Sequence, residues 1–227
     1  MTSFGLTSLS LTRIALFASL FAVLSLVPLS PFVGGSSLLT LSIIITPTIA
    51  LLLPPHEAFL SASCGSLVGI YISPISAIFG IASVAVPVTA ATLGSLAYHR
   101  QRTAAVASLF LLLAITFFLM NVPFFFWIIP HVLALVLVSS FWLYKKEDVI
   151  RLSIYAFITT MIEQGMMMIL AIVFLLDISA LPWQVIFPVA LPFMIAERII
   201  GTAGSTVLSK SLAKAMPKYF ISQSSKR

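Results

Sequence analysis

Long hydrophobic runs dominate this sequence, and short polar or proline-containing segments separate them at fairly regular intervals. The apolar residues are continuous rather than alternating, which favours helices over strands. A helix needs about 20 predominantly apolar residues to cross a bilayer. The pattern therefore predicts eight candidate transmembrane helices, over residues 13–33, 38–53, 57–72, 77–98, 103–120, 123–144, 149–176 and 182–208.

The breaks between runs have the composition of turns, as at Pro54-Pro55 and Ser73-Pro74. The second and third runs are short, so 38–72 is either two spans or one re-entrant hairpin. We predict an all-α polytopic bundle of six to eight spans. It forms a single transmembrane domain over 1–216, followed by a short basic cytoplasmic tail over 217–227.

Composition and charge support a membrane protein. Hydrophobic residues make up 60% of the chain and charged residues 8%, and the mean hydropathy is +1.17. A soluble domain averages about 25% charged residues, so this chain lacks the polar surface that faces water. The net charge of +6 comes from cations at the ends of apolar runs rather than on one folded face, which argues against nucleic acid as a partner.

The distribution of the cations predicts the orientation. With both termini in the cytoplasm, every Lys and Arg except Arg198 falls on the cytoplasmic side, as the positive-inside rule requires. We therefore expect a multi-pass protein of the plasma membrane, with the lipid bilayer as its solvent.

Ionisable residues inside apolar runs are the first candidates for function, because burying them in a membrane is costly. Glu163 lies near the centre of the seventh run and Arg198 lies in the eighth. These runs are consecutive and antiparallel, and the two residues are at similar depth, so we predict that they interact. The pair could be structural or could line a polar pocket. His131, in the sixth run, is a weaker candidate of the same kind.

Catalysis and cofactor binding find little support in the sequence. It contains no nucleophile elbow, no phosphate-binding glycine loop and no metal-ligand motif. The lone Cys64 excludes an internal disulfide. We expect no catalytic residues, no metal and no cofactor; an intramembrane enzyme using Glu163 is the weakest of the hypotheses.

Small residues mark one face of the first run. Ala15, Ala18 and Ala22 are spaced so that a second helix could approach the backbone closely. This face could dock a partner subunit or pack within the chain.

Three stretches resemble the substrate-binding (S) components of energy-coupling-factor vitamin transporters. Arg13–Pro28 looks like their first helix, Ile44–Tyr71 is similar to their second and third helices, and Ile78–Arg100 is similar to a later helix with a basic cytoplasmic end. The resemblance covers about the first 120 residues. Members of that family usually have six spans, whereas this sequence contains up to eight candidate spans. It implies a substrate-binding subunit that works with a transmembrane coupling subunit and separate ATPases.

The sequence thus predicts a membrane subunit that binds a small nutrient. Its pocket would open outward between the loop after the first span, Asn121 and the aromatic cluster Phe124–Trp127. The alternative is a non-catalytic structural or accessory subunit of a larger membrane complex. The substrate-binding candidates are Asn121, Trp127, His131, Glu163 and Arg198, and the partner-binding candidates are Ala15, Ala18 and Ala22.

Overall fold

A computed structural model describes residues 7–30, 39–74, 77, 79–100, 102–119, 125–140, 149–175 and 183–220. The protein is all-α, as predicted, apart from one short antiparallel strand pair, β1 and β2. In chain order the elements are α1 (Ser8–Leu24), β1 (Pro28–Ser30), β2 (Leu39–Thr40), α2 (Ser42–Leu52), α3 (Pro55–Ile72), a 3-10 helix (Gly80–Val84), α4 (Ala85–Arg100), α5 (Thr103–Leu119), α6 (Phe125–Ser139), α7 (Val149–Leu175), α8 (Trp183–Ala215) and α9 (Pro217–Phe220).

The helix termini follow from local sequence. The hydroxyl oxygen of Thr7 caps α1 by accepting a hydrogen bond from the backbone N–H of Ser10, at 3.1 Å. Pro55 begins α3, where its missing N–H costs no helical hydrogen bond. The predicted first run is shortened at its far end, because α1 ends at Leu24 and Pro28 begins a strand.

Two helical segments are long and apolar enough to cross a membrane within the described part of the chain. They are Gly80–Arg100, which includes the 3-10 helix, and Val149–Ala171. Shorter apolar helices cover Ser8–Leu24, Ser42–Leu52, Thr103–Ile115 and Ile128–Ser139. Large apolar side chains lie exposed along several outer helix faces, including Leu111, Ile115, Leu133, Val136, Ile199 and Val207. A soluble monomer rarely exposes large contiguous apolar patches, so the number of exposed apolar side chains here favours contact with an apolar environment.

Helix α2 lies at the centre of the bundle, and nine of its eleven residues are buried. It packs against α1, α3, α4, α7 and α8. One buried cluster, which includes Phe17, Ile49 and Leu53, joins α1–α4. A second, which includes Phe110 and Ile162, joins α4–α7. Helix α4 contributes to both clusters and connects the two halves.

Contacts between helix ends define one end of the bundle, which we call the basic end. Arg13 of α1 binds Glu57 of α3, and Arg13 also donates to the Tyr219 carbonyl after α8. The Arg151 guanidinium of α7 lies 5.0 Å from the centre of the Tyr98 ring, near the end of α4. The described lysine and arginine side chains, Arg198 excepted, therefore lie toward this end: Arg13, Arg100, Arg102, Arg151, Lys210 and Lys214.

Helices α1 and α3 run parallel and in close contact. A Cβ atom added to Gly65 would lie 2.9 Å from the Ala18 carbonyl oxygen, and one added to Gly69 would lie 3.0 Å from Ser25 Oγ. Only glycine permits the first of these approaches without displacing backbone. Helix α3 therefore has a small-residue face of its own, which the sequence analysis did not identify: Ala58, Ala62, Gly65 and Gly69.

Candidate functional site

A cleft of about 110 Å³ lies at the end of the bundle opposite the basic end. We call this the cleft end. Its walls come from the last turn of α1, the start of α2, the second half of α3, the start of α4, and the middle of α7 and α8. The lining combines apolar residues (Phe21, Ile43, Ile70, Phe79, Val86, Pro87 and Met167), small polar residues (Ser25, Thr40, Ser42, Ser66 and Ser83), Gly69, and the two charged residues Glu163 and Arg198.

Glu163 and Arg198 lie together in this cleft, which confirms that they interact. Arg198 Nη1 is 3.8 Å from Glu163 Oε2, and the two side chains are only 7% and 13% exposed, respectively. This distance is too long for a direct hydrogen bond, which needs about 2.7–3.2 Å between nitrogen and oxygen. The charges attract one another but leave hydrogen-bonding capacity on both groups.

Other protein groups partly satisfy the pair. Arg198 Nη1 donates to the Thr160 carbonyl oxygen at 2.7 Å, and Thr46 Oγ1 donates to Glu163 Oε1 at 3.4 Å. Glu163 Oε2 and Arg198 Nε are buried and have no hydrogen-bond partner among the residues that the structure describes. Unsatisfied buried charges of this kind are expensive to retain for structure alone.

Close helix approach brings Arg198 to α7. A Cβ atom on Gly201, one turn after Arg198, would lie 3.3 Å from both Thr160 Cγ2 and the Ile43 carbonyl oxygen. Gly201 therefore lets α8 pack tightly against α2 and α7 at the depth of the charged pair. Glu197 is also buried, at 3% exposure, but it does not line the cleft.

Among the other predicted substrate-binding residues, His131 is the one with a described side chain, and it lies outside this cluster. His131 is buried in α6, where its ring meets the Phe110 ring edge-on at 6.3 Å, and it does not line the cleft. Trp127 lies in α6, and its side chain is not described. Asn121 lies outside the described residues. Of the three candidates whose side chains are described, the structure thus brings together two, Glu163 and Arg198.

The predicted partner-binding face is divided between two environments. Ala22 is buried, and Ala18 lies against Gly65 of α3. Ala15 is exposed. The small residues Ala18 and Ala22 therefore serve the α1–α3 contact, and only Ala15 remains accessible to another chain.

The small polar residues of the cleft were not among the residues predicted from the sequence. They come from the turn after α1, from β2, α2 and α3, and from the 3-10 helix: Ser25, Thr40, Ser42, Ser66 and Ser83. Each one alone looks like an ordinary helix-end or packing residue. Their shared proximity to helix ends at one side of the bundle was the available signal. No group of three or more His, Cys, Asp or Glu side chains that could hold a metal occurs in the described residues.

Comparisons with known proteins add no assignment, since no protein-family model, curated protein or solved structure matches this chain.

Proposed function

We propose that this chain is a multi-pass plasma-membrane protein of six to eight spans, with both termini in the cytoplasm. The basic end supports this orientation, because cations from α1, α4, α7 and α8 gather there. The exposed apolar helix faces support contact with lipid. In this orientation the cleft opens to the outside.

The geometry of α2 and α3 favours two spans over a re-entrant hairpin. Helix α2 begins beside the end of α1, where Leu41 N–H donates to the Val27 carbonyl oxygen. It ends where Ser95 Oγ donates to the Leu53 carbonyl oxygen, one turn before the Glu57–Arg13 pair. Its eleven residues extend only about 16 Å, so the flanking strand and turn would have to complete the crossing.

The function that this arrangement supports best is substrate binding for uptake of a small nutrient. One observation carries the proposal: a cleft opens at the cleft end, and a buried carboxylate and guanidinium lie in it with unused hydrogen-bonding atoms. Ligand sites combine apolar walls with a few such convergent polar groups. The resemblance to S components supports the same reading.

ATP-driven uptake would use a separate ATPase module, because this sequence contains no phosphate-binding glycine loop. A transmembrane coupling subunit would join the two. Ala15 on the exposed side of α1 is the part of the predicted small face that such a subunit could contact.

The alternative is a structural or accessory subunit that binds no ligand. Purification from native membranes in mild detergent, followed by native mass spectrometry and identification of associated proteins, separates the two. A retained small molecule together with an ATPase would support the nutrient-uptake proposal. Stable association with other membrane proteins, but without a small molecule or an ATPase, would favour the accessory subunit.

A further inference from the structure

The charged pair in the cleft also constrains the chemistry of the ligand, on the premise that the cleft is the binding site of the proposed function. Arg198 is 6% exposed as a residue, and its Nε–H has no acceptor among the described groups. An arginine binds a carboxylate most strongly through two parallel N–H groups, of which Nε–H is one. The unsatisfied Nε–H of Arg198 is therefore suited to a carboxylate oxygen.

The Glu163 carboxylate, in turn, lacks hydrogen-bond donors. Its Oε1 accepts one long hydrogen bond from Thr46, and its buried Oε2 accepts none from the described residues. An ionised carboxylate has only acceptor positions, so Oε2 calls for an N–H or O–H donor. An ammonium group would supply both the donor and the opposite charge.

The closeness of the two groups excludes ligands with a single charge. A simple anion at Arg198 would lie next to Glu163, and a simple cation at Glu163 would lie next to Arg198, because Nη1 and Oε2 are only 3.8 Å apart. Like charges brought together at such distances in a buried site cost several kcal/mol. A ligand that carries both charges close together avoids either repulsion.

The remaining walls of the cleft indicate the chemistry of the uncharged part of the ligand. Phe21, Ile43, Ile70, Phe79 and Met167 offer apolar and aromatic surface around the charged pair. Apolar surface of this kind favours a hydrophobic or aromatic body attached to the charged groups.

We propose that the cleft binds a small zwitterion with an apolar body, in which a carboxylate binds Arg198 and an adjacent ammonium group binds Glu163. An α-amino acid with an apolar side chain has this arrangement, since one carbon separates its two charged groups.

The test uses the full-length protein in lipid nanodiscs and three matched probes. L-Phenylalanine carries both charges, N-acetyl-L-phenylalanine carries only the carboxylate, and L-phenylalanine amide carries only the ammonium group; L-leucine and L-methionine with the same two derivatives extend the series. Thermal shift and isothermal titration measure binding. We expect at least one zwitterion to bind, and each derivative to bind about 30-fold or more weakly, as for loss of one partner of a buried charged contact.

Variants locate the binding within the protein. Arg198→Gln and Glu163→Gln should each abolish the preference for the zwitterion, whereas Arg102→Gln, at the basic end, should retain it. Should either cleft variant fail to fold, the probe series on the unaltered protein still decides the question.

Native mass spectrometry of the protein as purified separates failure of this inference from failure of the proposed function. A bound molecule that is not zwitterionic, or derivatives that bind as well as the parent amino acids, would overturn the ligand class and leave substrate binding standing. No bound molecule, together with no binding of any probe, would overturn both.

Discussion

The Arg13 guanidinium lies 2.5 Å from the carboxylate of Glu57 and joins the start of α1 to the start of α3. Its second terminal nitrogen donates to the Tyr219 carbonyl oxygen at 2.8 Å, which ties the chain after α8 to the same point. The Glu57 side chain is only 2% exposed, so this is a largely desolvated ion pair. One arginine thereby fixes three segments at the basic end.

Removing Arg13 should therefore destabilise the protein strongly. Loss of one partner from a buried ion pair costs about 3–5 kcal/mol, because the other charge is left buried and alone. We expect Arg13→Gln to lower the midpoint of thermal unfolding in detergent. Arg102→Gln is the matched control, because Arg102 is exposed at the same end, and it should change stability by less than about 0.5 kcal/mol. Equal effects of the two substitutions would contradict the structural role of Arg13.

Membrane orientation can be tested by cysteine labelling in a Cys64→Ser background. Tyr71 is 87% exposed near the cleft end, whereas Lys214 lies in the last turn of α8 at the basic end. An impermeant thiol reagent added to intact cells should label Tyr71→Cys and should not label Lys214→Cys. The reverse pattern would invert the bundle and place the cleft on the cytoplasmic side.

Substitutions in α1 distinguish internal packing from partner binding. Ala22→Leu should destabilise the isolated protein by about 1–3 kcal/mol through overpacking, because the Ala22 side chain is buried. Ala15→Leu, on the exposed side, should leave stability unchanged and reduce co-purification of a coupling subunit. Thermal unfolding and affinity purification measure the two effects. Unchanged partner recovery with Ala15→Leu would remove Ala15 from the proposed contact.

The sequence was sufficient to predict the helices, because each apolar run ends at proline, glycine or polar residues. It was less informative about the exact first and last residues of each helix. Gly80 adopts a φ of 56°, which L-residues rarely tolerate, and a 3-10 helix delays the start of α4 to Ala85. The run 13–33 was overestimated, since its final third contains Pro28 and a strand rather than helix.

The charged pair was predictable and the cleft was not. Glu163 and Arg198 stand out because each is an isolated charge in an apolar run, and consecutive antiparallel helices place them at one depth. The cleft depends on which helices become neighbours, and that order is set by close contacts such as Gly65 with Ala18 and Gly201 with Ile43. Small residues signal that a close contact exists, but they do not identify its partner.

A double-mutant cycle tests the energetic coupling within the pair. Glu163→Gln and Arg198→Gln should each destabilise the protein, and the double variant should lose less than the sum of the two. We expect a coupling energy of about 0.5–3 kcal/mol, as for residues in direct contact. The hydrogen bond from Arg198 to the Thr160 carbonyl oxygen is lost in both Arg198 backgrounds, so it cancels in the cycle. Strictly additive losses would show that the two charges do not interact energetically.

Substrate binding in the cleft is tested most directly by comparing the small molecules that the purified protein retains. Unaltered protein, Arg198→Gln and Arg102→Gln would be purified identically from the same host and analysed by native mass spectrometry, with folding checked by thermal unfolding. We predict that one small molecule remains bound to the unaltered protein and to Arg102→Gln, and is lost from folded Arg198→Gln. Equal retention by all three proteins would place the ligand elsewhere and contradict a binding role for the cleft.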